Sequence, residues 1–107
     1  MTDRSWKAWE RRVAKRFGGE RRGADFRGRT GGKNDIIVEG FSVEVKLLSR
    51  PTYGDMFNAC LQAEGAKENV LDAAVAVVKK KGARDNDALV IMRLEEFERH
   101  YLGSSDE

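Results

Sequence analysis

The sequence predicts an α/β fold in one domain spanning residues 1–107. Three observations lead there. Apolar residues recur at helical spacing over residues 4–17. Apolar and polar residues alternate at period two over residues 34–47. Two continuous apolar runs, residues 73–78 and 88–92, follow a segment of helical length. The order is helix, paired strands, helix, strands and a short closing helix. It implies a mixed sheet of about five strands with one helix packed after the second strand of the hairpin.

The first helix covers residues 4–17 and ends at Gly18-Gly19. On a wheel of about 100° per residue, Trp6, Trp9, Val13 and Phe17 share one stripe. Glu10 falls about 40° from Trp6, inside that stripe or on its edge. A carboxylate aimed at a core needs a partner. It either reaches a polar site across the core or pairs at the border with Lys7 or Arg11. The opposite side carries Arg4, Arg11, Arg12 and Lys15, a solvated face that is also able to touch phosphates.

Residues 18–33 are rich in Gly and Arg, with a short strand expected at residues 24–27. Glycines let backbone approach a phosphate and the arginines add charge. Arg27, Arg29, Thr30 and Lys33 are the expected phosphate contacts, unless the segment is only a surface loop. The spacing of a Walker loop is absent.

The stretch from Asn34 to Lys46 reads as two strands about a Glu39-Gly40 turn. This register pairs Val38 with Phe41, Ile37 with Ser42, Ile36 with Val43, and Asp35 with Glu44. Ile36, Val38, Phe41, Val43, Val45 and Leu47 then form one apolar face. Slipping the pairing by one residue would expose them. On the other face two carboxylates lie opposite, which destabilises a sheet unless compensated. Lys46 is on that face too. If the loop has odd length, Asp35 and Glu44 become diagonal neighbours instead. Oxygen ligands of this kind suit Mg²⁺ or Mn²⁺. The alternative is an ordinary salt-bridge cluster in solvent.

Residues 48–55 form a loop containing Pro51, and Asp55 is the expected N-cap of a helix over residues 56–69. Phe57, Cys60, Leu61 and Leu71 are placed toward the core, and Asn58, Gln62 and Asn69 on the polar side. Residues 73–78 and 88–92 read as central strands covered on both faces. A Lys-rich turn at residues 79–87 joins them. Residues 94–102 close the fold as a helix, and residues 103–107 form an acidic tail.

Composition narrows the function. With one Cys and one His, an internal disulfide, a thiolate metal site and a His-rich zinc site are excluded. No run is long enough for a membrane span and no signal peptide is evident, so the expectation is a cytoplasmic protein. Net charge is +2 but uneven. Residues 1–50 hold 13 Lys and Arg against 7 Asp and Glu, and residues 51–107 hold 7 against 11. A basic N-terminal half suggests a face for a polyanion.

Asp35 followed by Glu44-Val45-Lys46 resembles the PD-(D/E)xK nuclease superfamily, with Asn34 where the motif has Pro. The upstream Glu-bearing helix, the basic Gly-rich segment and the short length are similar to archaeal-type Holliday junction resolvases. The resemblance spans roughly residues 5–95, and only its motif positions are specific. It implies a restriction-endonuclease-like core and a Mg²⁺-dependent endonuclease, with Mn²⁺ able to substitute. Asp35, Glu44, the Val45 carbonyl and Glu10 would hold the ion, and Lys46 would serve the hydrolytic water. Gln62 resembles the helix residue that many members carry near that water, or is an exposed helical Gln. Arg11, Arg27, Arg29, Thr30, Lys33, Arg50 and Tyr53 are the expected DNA contacts, with Arg50 and Tyr53 equally suited to a dimer partner. The implied substrate is branched double-stranded DNA cut by a homodimer. Rival readings are another structure-specific or replication-associated nuclease of that superfamily, and a catalytically silent DNA-binding module.

Overall fold

The computed structural model describes residues 2–21 and 35–103. Helix α1 (Thr2–Arg16) is followed by β1 (Glu20–Arg21), β2 (Ile36–Ile37) and β3 (Phe41–Leu48). Helix α2 (Tyr53–Gly65) leads to β4 (Ala73–Lys80), β5 (Leu89–Ile91) and α3 (Leu94–Tyr101). The expected strand at residues 24–27 and the tail beyond Gly103 lie outside the described residues. Among the described residues, no helix is long and apolar enough to cross a membrane.

The sheet is α/β and mixed, as expected, but its strands divide. β1 pairs antiparallel with β2, while β3, β4 and β5 form a separate three-stranded sheet. β3 and β4 run parallel in register from Phe41 opposite Ala73 to Leu48 opposite Lys80. A parallel pair needs a crossover, and α2 supplies it. Alternation along these two strands sorts the core into two layers. Val43, Val45, Val75 and Val77 pack with Trp9, Val13 and Ile36 beneath α1. Ala76 and Val78 pack with Ala59 and Cys60 beneath α2. All six residues of the expected hairpin face belong to the α1 layer, with Val38, Phe41 and Leu47 at its margin.

Three expectations need correction. The first is the hairpin register. The Val38–Phe41 bridge forms as expected about Gly40, whose φ of +90° suits glycine. The Asp35 amide, however, donates to the Val43 carbonyl at 3.1 Å, one residue out of that register. Asp35 is therefore not directly opposite Glu44. The second is the start of α2. Thr52, in extended conformation, is the N-cap, and Asp55 is the third helical residue of a capping box. Thr52 Oγ1 accepts from the Asp55 amide at 3.0 Å, and Asp55 Oδ2 accepts from the Thr52 amide at 3.1 Å. The helix ends at Gly65, and of the residues expected toward the core only Cys60 is buried, with Phe57, Leu61 and Leu71 exposed. The third is β5, which is an edge strand with Leu89 and Val90 exposed. A short apolar run reads the same whether a neighbour covers it or not.

Polar groups that are buried here tie layers together. Ser42 Oγ donates to the Ala63 carbonyl at 2.6 Å, joining β3 to the end of α2. Glu96 of α3 is fully buried and accepts from the Ala74 amide at 2.8 Å. Lys67, His100 and Arg99 surround it at 2.7, 3.0 and 3.1 Å. Burial alone would raise its pKa, but the Lys67 and Ala74 bonds outweigh this and hold it below the usual range.

Gly19 marks where the chain leaving α1 passes the β2 backbone. A Cβ there would collide with the Ile37 carbonyl oxygen and the Val38 side chain. Gly65, in α2, has open space at the same position. Gly19→Ala is expected to destabilise the fold by about 1–3 kcal/mol. Gly65→Ala should be neutral or stabilising by up to about 1 kcal/mol. Urea denaturation of the two variants checks this, and equal effects would contradict the close approach.

Candidate active site

The edge of β3 away from β4, along which the chain around β2 runs, gathers acidic residues. Alternation points Glu44 and Lys46 toward α2 while their neighbours Val43, Val45 and Leu47 face α1. Lys46 Nζ lies 3.4 Å from Glu44 Oε2. Glu44 and Lys46 share a groove of about 360 Å³ with Gln62, Gly65 and Ala66 of the α2 segment. Lys46 and Gln62 also line an adjoining groove of about 200 Å³ with Asp55 and Asn58. The structure thus brings the expected Gln62 to the same opening as Glu44 and Lys46.

Asp35 enters from the bend just before β2. Its Oδ2 accepts from the Val45 amide at 2.7 Å, so its carboxylate is set against the β3 backbone between Glu44 and Lys46. Glu10 enters from α1 and is 2% exposed, on the buried side of the helix as the wheel implies. Both acids act on Glu44. Its pKa is pushed up to about 7, first by burial and then by the negative field of Asp35, with a smaller contribution from Glu10. Lys46 pulls the other way without offsetting them. Three acids from three elements therefore converge electrostatically on one position. The offset register does not relieve the like-charge interaction, since Asp35 still raises Glu44.

The donor chemistry suits a hard divalent cation. Mg²⁺ keeps several waters and needs only one or two carboxylates alongside substrate oxygens. Among the described residues, no group of three or more His, Cys, Asp or Glu is arranged to hold a metal ion by protein atoms alone. Asp35 and Glu44 fit the sparser kind of site, and its remaining positions suit water or phosphate. Val45 is buried, its amide held by Asp35.

Arg27, Arg29, Thr30 and Lys33 lie outside the described residues. Arg11 and Arg50 are exposed. Tyr53 is 81% exposed and stacks on Phe57 at 6.4 Å, and the two line a different, apolar groove with Met56, Ile91 and Leu94.

One residue of the site was read only as core. The Trp9 indole N–H donates to the Lys46 carbonyl at 3.1 Å, fixing the β3 backbone beneath the Lys46 side chain. A buried Trp needs a partner for its N–H, and that is the signal the helical stripe carries without naming the acceptor. Comparison with protein-family models, curated proteins and solved structures gave no match.

The raised Glu44 pKa has a stability consequence. The folded protein holds a proton that the unfolded chain releases, so stability falls as pH rises from 4.5 toward about 7. Glu44→Gln removes this burden. In EDTA at pH 8 it should stabilise the protein by about 1–3 kcal/mol, discounted for partial solvent screening. The gain should vanish near pH 4.5. Denaturant melts across pH check it, and a destabilised Glu44→Gln at pH 8 would contradict the clash.

Proposed function

We propose that the protein is a Mg²⁺-dependent, structure-specific DNA endonuclease of the PD-(D/E)xK type, similar to archaeal-type Holliday junction resolvases. The observation that carries this reading is Glu44. A half-buried carboxyl beside Asp35, within the field of Glu10 and 3.4 Å from Lys46, is costly in a bare protein and useful beside a cation. Asp35, Glu44 and the Val45 carbonyl are the proposed ligands, with Glu10 assisting and Mn²⁺ able to substitute. When bound, such an ion supplies Lewis acidity toward a phosphodiester oxygen.

The chain's own residues do the rest. Lys46 sits at the mouth of the groove, where its ammonium neutralises charge developing on the phosphorus oxygens or orients the attacking water. Gln62, on the facing helix, offers an amide to the same water. Trp9 keeps Lys46 in place through its backbone. The products would be a 5′-phosphate and a 3′-hydroxyl, as the resemblance implies.

A four-way junction has two symmetry-related strands to cut, which calls for two copies. The proposed contact is β5. It is an exposed antiparallel edge, with Val90 62% exposed, and it adjoins the apolar groove of Tyr53, Phe57 and Leu94. A bare apolar edge invites pairing. Pairing β5 with itself across a twofold axis is self-complementary in hydrogen bonding and would join two three-stranded sheets.

Mg²⁺-dependent cleavage of a synthetic junction should fall by at least about 100-fold in Asp35→Asn, Glu44→Gln and Lys46→Ala, and cease in EDTA. Undiminished cutting by either acid variant would sink the site. Junction, flap, splayed-arm and linear duplex substrates should be cut unequally, with the junction favoured. Equal cutting of all four counts against a resolvase. Light scattering should find a dimer at tens of micromolar that Val90→Lys converts to monomer. A monomeric unaltered protein would exclude the β5 contact.

A further inference from the structure

The Arg-rich side of α1 and the Lys-rich turn after β4 are distant in sequence yet meet in the fold. Arg12 Nε and Nη2 donate to the Asp85 carboxylate at 2.7 and 3.3 Å. Lys79 Nζ donates to the same carboxylate at 2.8 Å, and Arg16 Nη2 reaches Asn86 Oδ1 at 2.7 Å. The Lys79 ammonium also lies 4.7 Å from the centre of the Trp9 ring. This junction frames a groove of about 520 Å³ whose lining includes Ser5, Arg12, Leu47, Lys79, Lys81 and Gly82, with no acidic side chain among the described residues that line it.

The charge balance there exceeds what fastening the turn requires. One carboxylate holds two cations, and Lys81 adds a third. Asp85 is kept ionised, its pKa drawn down to about 2 by hydrogen bonds from Arg12 and Lys79, so it acts as a fixed spacer. The Arg12 side chain is 47% exposed, and its guanidinium carries five N–H donors in all. Gly82, with φ of +86°, turns the chain at the groove and meets nothing where a Cβ would be. The lining is therefore cationic, concave and partly preassembled, which suits a phosphate better than an apolar or cationic ligand.

Position links the groove to the active site. Leu47 lines it from the α1 side, while Lys46, the preceding residue, faces α2. The groove thus lies at the carboxyl ends of the parallel strands β3 and β4, where open α/β sheets take ligands. We propose that it binds a non-scissile backbone phosphate of the DNA substrate, gripping the strand on the face of the sheet opposite Lys46. This rests on the nuclease reading for the identity of the polyanion, and on the groove alone for the contact.

The test is binding of a labelled synthetic junction in EDTA, followed by fluorescence anisotropy from 50 to 300 mM salt. Lys81→Ala should lower the slope of log affinity against log salt by about 0.9 and weaken binding about threefold to tenfold. Adding Arg12→Ala should roughly double the change in slope. Because Arg12 also fastens Asp85, thermal melts accompany that variant, and Lys81→Ala alone suffices if it fails to fold. Arg99→Ala, on α3, should leave the slope unchanged. An unchanged slope in Lys81→Ala, or an equal fall in Arg99→Ala, overturns the groove. If the unaltered protein still cuts the junction with Mg²⁺, that failure leaves the nuclease reading standing. If it binds with the expected slope changes but does not cut, the groove stands and the nuclease reading falls.

Discussion

Strand β3 is the constraint from which the rest of the molecule follows. Its parallel pairing with β4 sets it between two helices, so its residues alternate between the apolar layer under α1 and the α2 side, where Ser42 is buried and Glu44 and Lys46 are half-buried. Val43 and Val45 join the α1 layer by apolar packing. Ser42 meets the α2 side by a hydrogen bond to Ala63. Glu44 meets it poorly, half-buried next to Asp35 and lifted to a pKa of about 7. A half-buried carboxyl raised first by burial and then by Asp35 is the kind of group that clusters where chemistry happens. The Trp9 bond to the Lys46 carbonyl and the Asp35 bond to the Val45 amide hold that stretch from both sides.

The two faces of the sheet then divide the electrostatics. Toward α2 lies the acidic position with Lys46 and Gln62 around it. Toward α1 lies the cationic groove built by Arg12, Lys79 and Lys81. The contrast is not visible in a net charge of +2, nor in the basic N-terminal half alone. Half of the groove comes from the acidic C-terminal half of the chain, through the Lys79–Lys81 turn. Asp85, counted as one of that half's acids, organises cations instead of cancelling them.

Much of this was legible in the sequence wherever a period specified a face. The apolar alternation of the hairpin placed all six of its residues in one core layer. The wheel put Glu10 on the buried side of α1. Register was less legible, because the offset at Asp35 depends on its side chain taking the Val45 amide, a tertiary bond with no sequence signature. Capping failed by one rule: Thr52 and Asp55 are both competent, and only backbone conformation shows which is the cap. The edge position of β5 and the meeting of Arg12 with Asp85 depend on long-range packing, which local patterns do not encode.

The chemistry of the acid pair turns on the state of one proton. A ¹³C-detected NMR titration of the Glu44 carboxyl, in EDTA and again in saturating Mg²⁺, measures it directly. The metal-free protein should show Glu44 titrating near 7, and Mg²⁺ should pull that value down below about 5, since a bound cation favours the carboxylate. A Glu44 carboxyl that titrates at the ordinary value in EDTA, or one that Mg²⁺ leaves unmoved, would contradict the reading of this acid pair as a cation site.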